Sequence, residues 1–98
     1  MNNFLSLISG KKPVLVDFYA TWCGPCKAMS PIIVDVKSKI GDKATVIKID
    51  VDQNPNLCTQ YDIRSVPTLM IFKEGRLLWR GIGVHPSNEL VSILEQFI

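Results

Sequence analysis

Apolar residues recur along this chain with two spacings that take turns, and that alternation sets the architecture. Val14-Leu15-Val16-Asp17-Phe18-Tyr19 is an almost unbroken β-branched and aromatic run, the pattern of a central strand covered on both faces. Ahead of it, Phe4, Leu5, Leu7 and Ile8 have helical spacing and stop short of Gly10, which predicts a brief opening helix over 3–9. After Trp22 the helical period returns. Met29, Ile32, Ile33, Val36 and Ile40 fall on one face until Gly41, so Cys23 opens a helix. Pro25 suits the first turn, where its missing N–H has no partner to lose, whereas Pro31 falls inside the helix and is expected to bend it. Further strands are predicted over 44–51, 68–72 and 76–82, with a short irregular helix over 54–61. Lys73-Glu74-Gly75 reads as the turn of a hairpin between the last two strands. His85-Pro86-Ser87 then leads into a closing helix whose buried stripe is expected to be Leu90, Val91, Leu94, Phe97 and Ile98. Strands alternating with helices in this way define an α/β fold.

Composition narrows the function classes. At 98 residues the chain suits a single domain over 1–98, and 47% hydrophobic with 20% charged residues is an ordinary globular balance. Eleven basic against nine acidic side chains gives a net charge of +2, too small and too scattered for a nucleic-acid face. No apolar run approaches the ~20 residues that cross a bilayer. The segment from Met1 to Ser9 lacks the basic n-region and small-residue cleavage site of a signal peptide. The cytoplasm is therefore the expected compartment, with a mature exported chain left open. Of three cysteines only Cys23 and Cys26 are close in sequence, which argues against a secreted, disulfide-stapled scaffold.

The chemistry is concentrated in Trp22-Cys23-Gly24-Pro25-Cys26-Lys27. A Cys-x-x-Cys that opens a helix directly after a strand is a redox signature, because the spacing lets the two sulfurs close reversibly into a disulfide. Cys23 sits where unpaired helix N–H groups and the positive end of the helix dipole favour a thiolate, so it is the expected nucleophile. Cys26 lies about one helical turn further on and can attack the mixed disulfide that Cys23 forms, which makes it the resolving thiol. The competing reading is half of a zinc site. It would have to be completed by Cys58 and His85, which form no second close pair, and no metal is expected.

The run from Val16 to Lys27, including Trp22-Cys23-Gly24-Pro25-Cys26-Lys27, closely resembles the thioredoxin family. The resemblance continues through Lys48-Ile49-Asp50-Val51-Asp52, Tyr61-Asp62-Ile63-Arg64-Ser65-Val66-Pro67-Thr68, Phe72-Lys73-Glu74-Gly75 and Gly83. It implies the thioredoxin fold: a central mixed sheet flanked by helices on both faces. About four strands are expected here, since the further strand that the family usually carries ahead of its first helix has too few residues to form. The implied activity is reduction of protein disulfides by dithiol–disulfide exchange. No bound cofactor is implied; electrons come from a thioredoxin reductase using NADPH, and the partners are that reductase and disulfide-containing client proteins. A monomer is expected, with no nucleic-acid or membrane partner.

The resemblance also assigns Pro67 as a cis-proline facing the redox pair; taken alone, Val66-Pro67 would read as an ordinary strand-entry turn. With it, Trp22, Gly24, Pro25, Val66, Ile82, Gly83 and Val84 would form a flat, mostly apolar docking surface for clients. Lys48 is implied as the partner of Asp17; by itself it reads as a solvated strand lysine. Asp17 stands out on its own as the one carboxylate inside the first strand. Burial should raise its pKa toward neutrality and suit it to take the proton of Cys26, against the alternative of an aspartate satisfied by backbone hydrogen bonds. Asp50, Asp52 and Lys27 read as turn or surface residues, and His85 as a cap or loop residue. Cys58 reads as a buried inert thiol, and Trp79 with Leu77 as packing on the last strand. Two other functions remain on the sequence: a disulfide oxidase or isomerase of the same fold, and a thioredoxin-like binding or chaperone subunit.

Overall fold

A computed structural model describes residues 3–98; Met1 and Asn2, at the head of the segment weighed above as a signal peptide, lie outside them. The elements run α1 (Asn3–Ile8), β1 (Val14–Tyr19), α2 (Gly24–Ile40), β2 (Thr45–Asp50), α3 (Pro55–Gln60), β3 (Thr68–Lys73), β4 (Arg76–Ile82) and α4 (Ser87–Glu95). Single 3₁₀ turns, Gly41–Lys43 and Val51–Gln53, flank β2. The sheet among the described residues has four strands in the order β2-β1-β3-β4. β1 and β2 are parallel, joined by α2 as a crossover, while β3 is antiparallel to both β1 and β4. Glu74 and Gly75, at φ 54° and 81°, supply the left-handed backbone that a two-residue hairpin turn between β3 and β4 requires.

Alternation along the strands splits the core in two. Leu15 of β1 and Leu69 and Ile71 of β3 pack with Met29, Ile33 and Val36 of α2 and with Leu90 and Leu94 of α4. Val16, Phe18, Met70 and Phe72 face the other way, onto Phe4 and Ile8 of α1 and the half-buried Leu57 and Tyr61 of the α3 region. β1 is therefore covered on both faces, as its unbroken apolar run predicts. Pro31 is accommodated on the exposed side of α2, which continues to Ile40. α4 is tied to α2 by the Ser87 hydroxyl, which donates to Asp35 at 2.5 Å.

Two packing expectations are corrected. α4 ends at Glu95, so Phe97 and Ile98 fall beyond its last turn; Phe97 still packs half-buried against the core, while Ile98 is 51% exposed. The β3–β4 ladder shifts register between Ile71 and Phe72, which pair with Trp79 and Leu77, and on this edge strand Leu77 and Leu78 are exposed. Trp79 does pack against the α2–α4 core.

Candidate functional site

The site lies where β1 and β2 both end. Cys23 is the N-cap of α2, with extended backbone angles, and its sulfur accepts the Cys26 backbone N–H at 3.1 Å. This is one of the N–H groups that a helix start leaves without an intrahelical partner, and it favours negative charge on that sulfur. Pro25 occupies the first turn, as its lack of a donor allows. Cys23 and Cys26 are joined as a disulfide with Cα atoms 5.3 Å apart. Both residues are only 4% exposed, so the pair is reached through its rim rather than standing free. The two sulfurs have different surroundings. Cys23 Sγ lies 3.6 Å from the Val66 carbonyl oxygen, while Cys26 lines a cleft of about 220 Å³ with Tyr19, Ala20, Lys27, Ser30 and Lys48.

The rim around Cys23 is apolar. Trp22 is 70% exposed, Ile82 66% and Val84 46%; Gly24 and Pro25 are also exposed, and Val66 and Gly83 are half-buried. The Val66-Pro67 peptide bond is cis, as the family resemblance implies, and Gly83, at φ 89°, donates its N–H to the Pro67 carbonyl at 2.9 Å. Pro67 itself is buried, so it shapes this surface without contributing a face to it. Trp22 is oriented by Asp52, whose Oδ2 accepts the indole N–H at 2.8 Å; Asp52 in turn donates its backbone N–H to Asp50 Oδ1 at 2.9 Å.

A second hollow of about 320 Å³ opens beside Trp22, lined by Val51, Asp52, Pro55, Cys58, Ile63 and Val66 among others. Cys58 is half-buried in its wall rather than enclosed in the core, and its thiol donates to the Val51 carbonyl oxygen at 3.6 Å. Burial, and then the nearby Asp52 charge, raise its pKa, which keeps it a thiol.

Two residues before the end of β1, Asp17 is fully buried, and neither carboxylate oxygen has a hydrogen-bond partner among the described residues. That is the opposite of the backbone-satisfied aspartate weighed from sequence. Burial pushes its pKa from 3.8 up to about 6, opposed by the Lys48 charge. Lys48 is its direct neighbour in the β1–β2 register. Its side chain is exposed, with the ammonium 4.6 Å from the Tyr19 ring centroid and 3.4 Å from the Ser30 hydroxyl oxygen. His85 lies in the loop before α4, edge-on to Trp79, with Nδ1 2.9 Å from the Gly83 carbonyl oxygen. Among the described residues no group of three or more His, Cys, Asp or Glu side chains is placed to hold a metal ion.

The family model named Thioredoxin matches residues 1–96. The chain belongs to the thioredoxin family. It is 48% identical over 96 residues to a thioredoxin from Alicyclobacillus acidocaldarius, covering 98% of this chain and 91% of that one. It is 47% identical over 89 residues to a chloroplastic thioredoxin Y of Oryza sativa, covering 91% of this chain and 53% of the relative. A mutant thioredoxin from Halobacterium salinarum superposes with a TM-score of 0.88 at 34% identity, covering 99% of this chain and 84% of that one. The chain is thus a thiol–disulfide oxidoreductase with the thioredoxin fold and a redox-active cysteine pair. Sequence reasoning missed Asp52, Ser30 and Tyr19 at this thioredoxin site. For Asp52 a signal existed: β1 and β2 are parallel and end level, Tyr19 opposite Asp50, so the segments that follow them are neighbours.

Proposed function

We propose that this chain reduces disulfides in client proteins, with Cys23 as nucleophile, Cys26 as resolving thiol and Asp17 as the acid–base group serving Cys26. The observation that carries this reading is the Cys23 sulfur: it caps α2, receives a backbone N–H, and lies within a rim of exposed apolar residues. The Cys23 thiolate attacks one sulfur of the client disulfide, forming a mixed disulfide and releasing the other client sulfur as a thiolate. Cys26 gives its proton to Asp17, directly or through one water, and attacks Cys23 Sγ. The Cys23–Cys26 disulfide forms as the bond to the client breaks, and the second client thiol departs. Two electrons pass to the client in all, with one proton from Cys26 by way of Asp17 and the second from solvent.

Trp22, Gly24, Pro25, Val66, Ile82, Gly83 and Val84 are the proposed docking surface, with Pro67 shaping it from beneath. An extended client segment would be read there mainly through its backbone, which suits many unrelated clients. Lys48 is proposed to tune Asp17. Residues 1–98 are taken to act as one domain and as a monomer. The proposed electron source is a thioredoxin reductase using NADPH, and the proposed compartment is the cytoplasm, where the surrounding thiol pool is reducing.

The test is turnover of insulin disulfides with NADPH and a thioredoxin reductase. Catalysed reduction that depends on both cysteines is expected; a rate no higher than that of a simple dithiol at equal concentration overturns the reading. A reduction potential near that of protein disulfide isomerase, about −180 mV, would assign the chain to disulfide formation instead.

A further inference from the structure

Asp17 and Lys48 sit side by side on parallel strands, and both project onto the face that α2 covers. Asp17 alternates with Leu15 and Lys48 with Val46, and both of those pack against α2. Opposite charges so placed would ordinarily close into an ion pair. Here they do not: Asp17 is enclosed with both oxygens unpartnered among the described residues, and the lysine side chain reaches outward. The ammonium is held by two other groups, the Ser30 hydroxyl on α2 and the ring of Tyr19 at the end of β1. All three residues line the cleft that Cys26 shares.

We infer that Ser30 and Tyr19 are positioning residues that hold the Lys48 ammonium in the Cys26 cleft, where it acts on Asp17 through space without pairing with it. This deepens the acid–base reading of Asp17 and rests on it. An exposed lysine left to itself extends into water, because its flexible stem and strongly hydrated head both favour solvent. A hydroxyl acceptor and an aromatic face together oppose that escape. The held position has chemical value. A closed ion pair would keep Asp17 an anion well below neutral pH, leaving it a weak base, whereas a departed ammonium would leave it protonated further up the pH scale. Both extremes suit proton exchange with Cys26 less well.

Across β3 the register neighbour of Asp17 is the uncharged Leu69, followed on β4 by Gly81, over which the Trp79 and His85 rings lie; Cys26 and Lys27 of α2 line the cleft that holds the Lys48 ammonium. Lys48 is the charge that acts on its titration.

The experiment follows the Asp17 side-chain carboxyl by ¹³C NMR in the oxidised protein, where Cys23 and Cys26 do not titrate. Alanine is well tolerated in a helix interior, so Ser30→Ala keeps α2 intact. It is expected to raise the Asp17 midpoint by about half a pH unit as the ammonium leaves, while Ser30→Thr, which retains the hydroxyl, holds the wild-type midpoint. Lys48→Met raises the midpoint by itself, and adding Ser30→Ala to it changes nothing further. An unmoved midpoint in Ser30→Ala, or an equal rise in the Lys48→Met background, overturns the proposal. Failure of Asp17 as the Cys26 base is a separate result. It would appear as wild-type resolution by Asp17→Asn while the Ser30→Ala midpoint shift persists.

Discussion

The two faces of the sheet are filled with different materials. Toward α1 and α3 the filling is aromatic: Phe72 meets Phe4 edge-on at 5.4 Å and Tyr61 at 5.3 Å, and Phe4 lies 6.3 Å from Phe18. Rings in these tilted and edge-on arrangements gain about 0.5–1.5 kcal/mol per pair beyond the area they bury. Toward α2 and α4 the fully buried filling carries no rings, with Trp79 and Phe97 half-buried at its margin, and two residues before the end of β1 a carboxylate replaces an apolar side chain. A buried charge without partners costs stability. Neighbouring residues of one strand, Asp17 and Phe18, thus divide the work: one face holds the molecule together and the other carries a destabilising group at the chemistry.

That division can be attacked directly, first at the sulfurs. Cys23→Ser should abolish disulfide reduction, a loss of at least about a thousand-fold, and trap no clients, whereas Cys26→Ser should accumulate covalent mixed disulfides. Equal trapping by both, seen on non-reducing gels, would reverse the assignment. On the aromatic face, Phe72→Ala should cost about 3–5 kcal/mol in urea unfolding while leaving turnover per folded molecule unchanged. A fall in that turnover would show that the two faces are not independent.

Asp17→Asn should do the reverse. Asp17 holds its proton more tightly folded than unfolded, so it favours the fold below about pH 4, and that contribution disappears as pH rises through about 6. Removing the charge should therefore stabilise the protein at pH 7 by up to about 3 kcal/mol, with the gain vanishing below about pH 4. Resolution of the mixed disulfide should slow roughly ten- to a hundred-fold, measured by rapid quench near pH 7. A variant that is more stable and equally fast would leave the buried carboxylate without a catalytic part. The smallest effect belongs to Cys58→Ser. Its thiol has a raised pKa and lies in the wall of the neighbouring hollow, so insulin reduction should stay within about two-fold of wild type.

Most of the secondary structure was legible because it rests on local periodicity. The bounds predicted for β1 and β4 coincide with those observed, and the turn at Glu74-Gly75 follows from backbone preferences at two positions. What periodicity could not see lies where tertiary contacts override it. Phe97 and Ile98 continue the apolar rhythm of α4, yet the helix has already stopped, and the Lys73 ammonium donates to the Phe97 carbonyl at 2.6 Å. Leu77 is 40% exposed on β4, the edge strand of the described sheet, a position that no residue type announces. At the site, the cysteine pair and Asp17 were legible because their surroundings are set by their own strand and helix. The contacts Trp22–Asp52 and Lys48–Ser30 span 30 and 18 residues and exist only once the elements have packed.

The placement of β1 also has a consequence in time. Its backbone is laddered to β2 on one edge and to β3 on the other, so the amides around Asp17 exchange with solvent only when the whole domain opens. The segments proposed to meet a client, around Trp22, Val66 and Gly83, lie outside the strands, where local opening costs less than in a central strand. On the proposed reading, a client would meet a rim that rearranges fast, while the carboxylate on β1 stays where the slowest motion of the molecule keeps it.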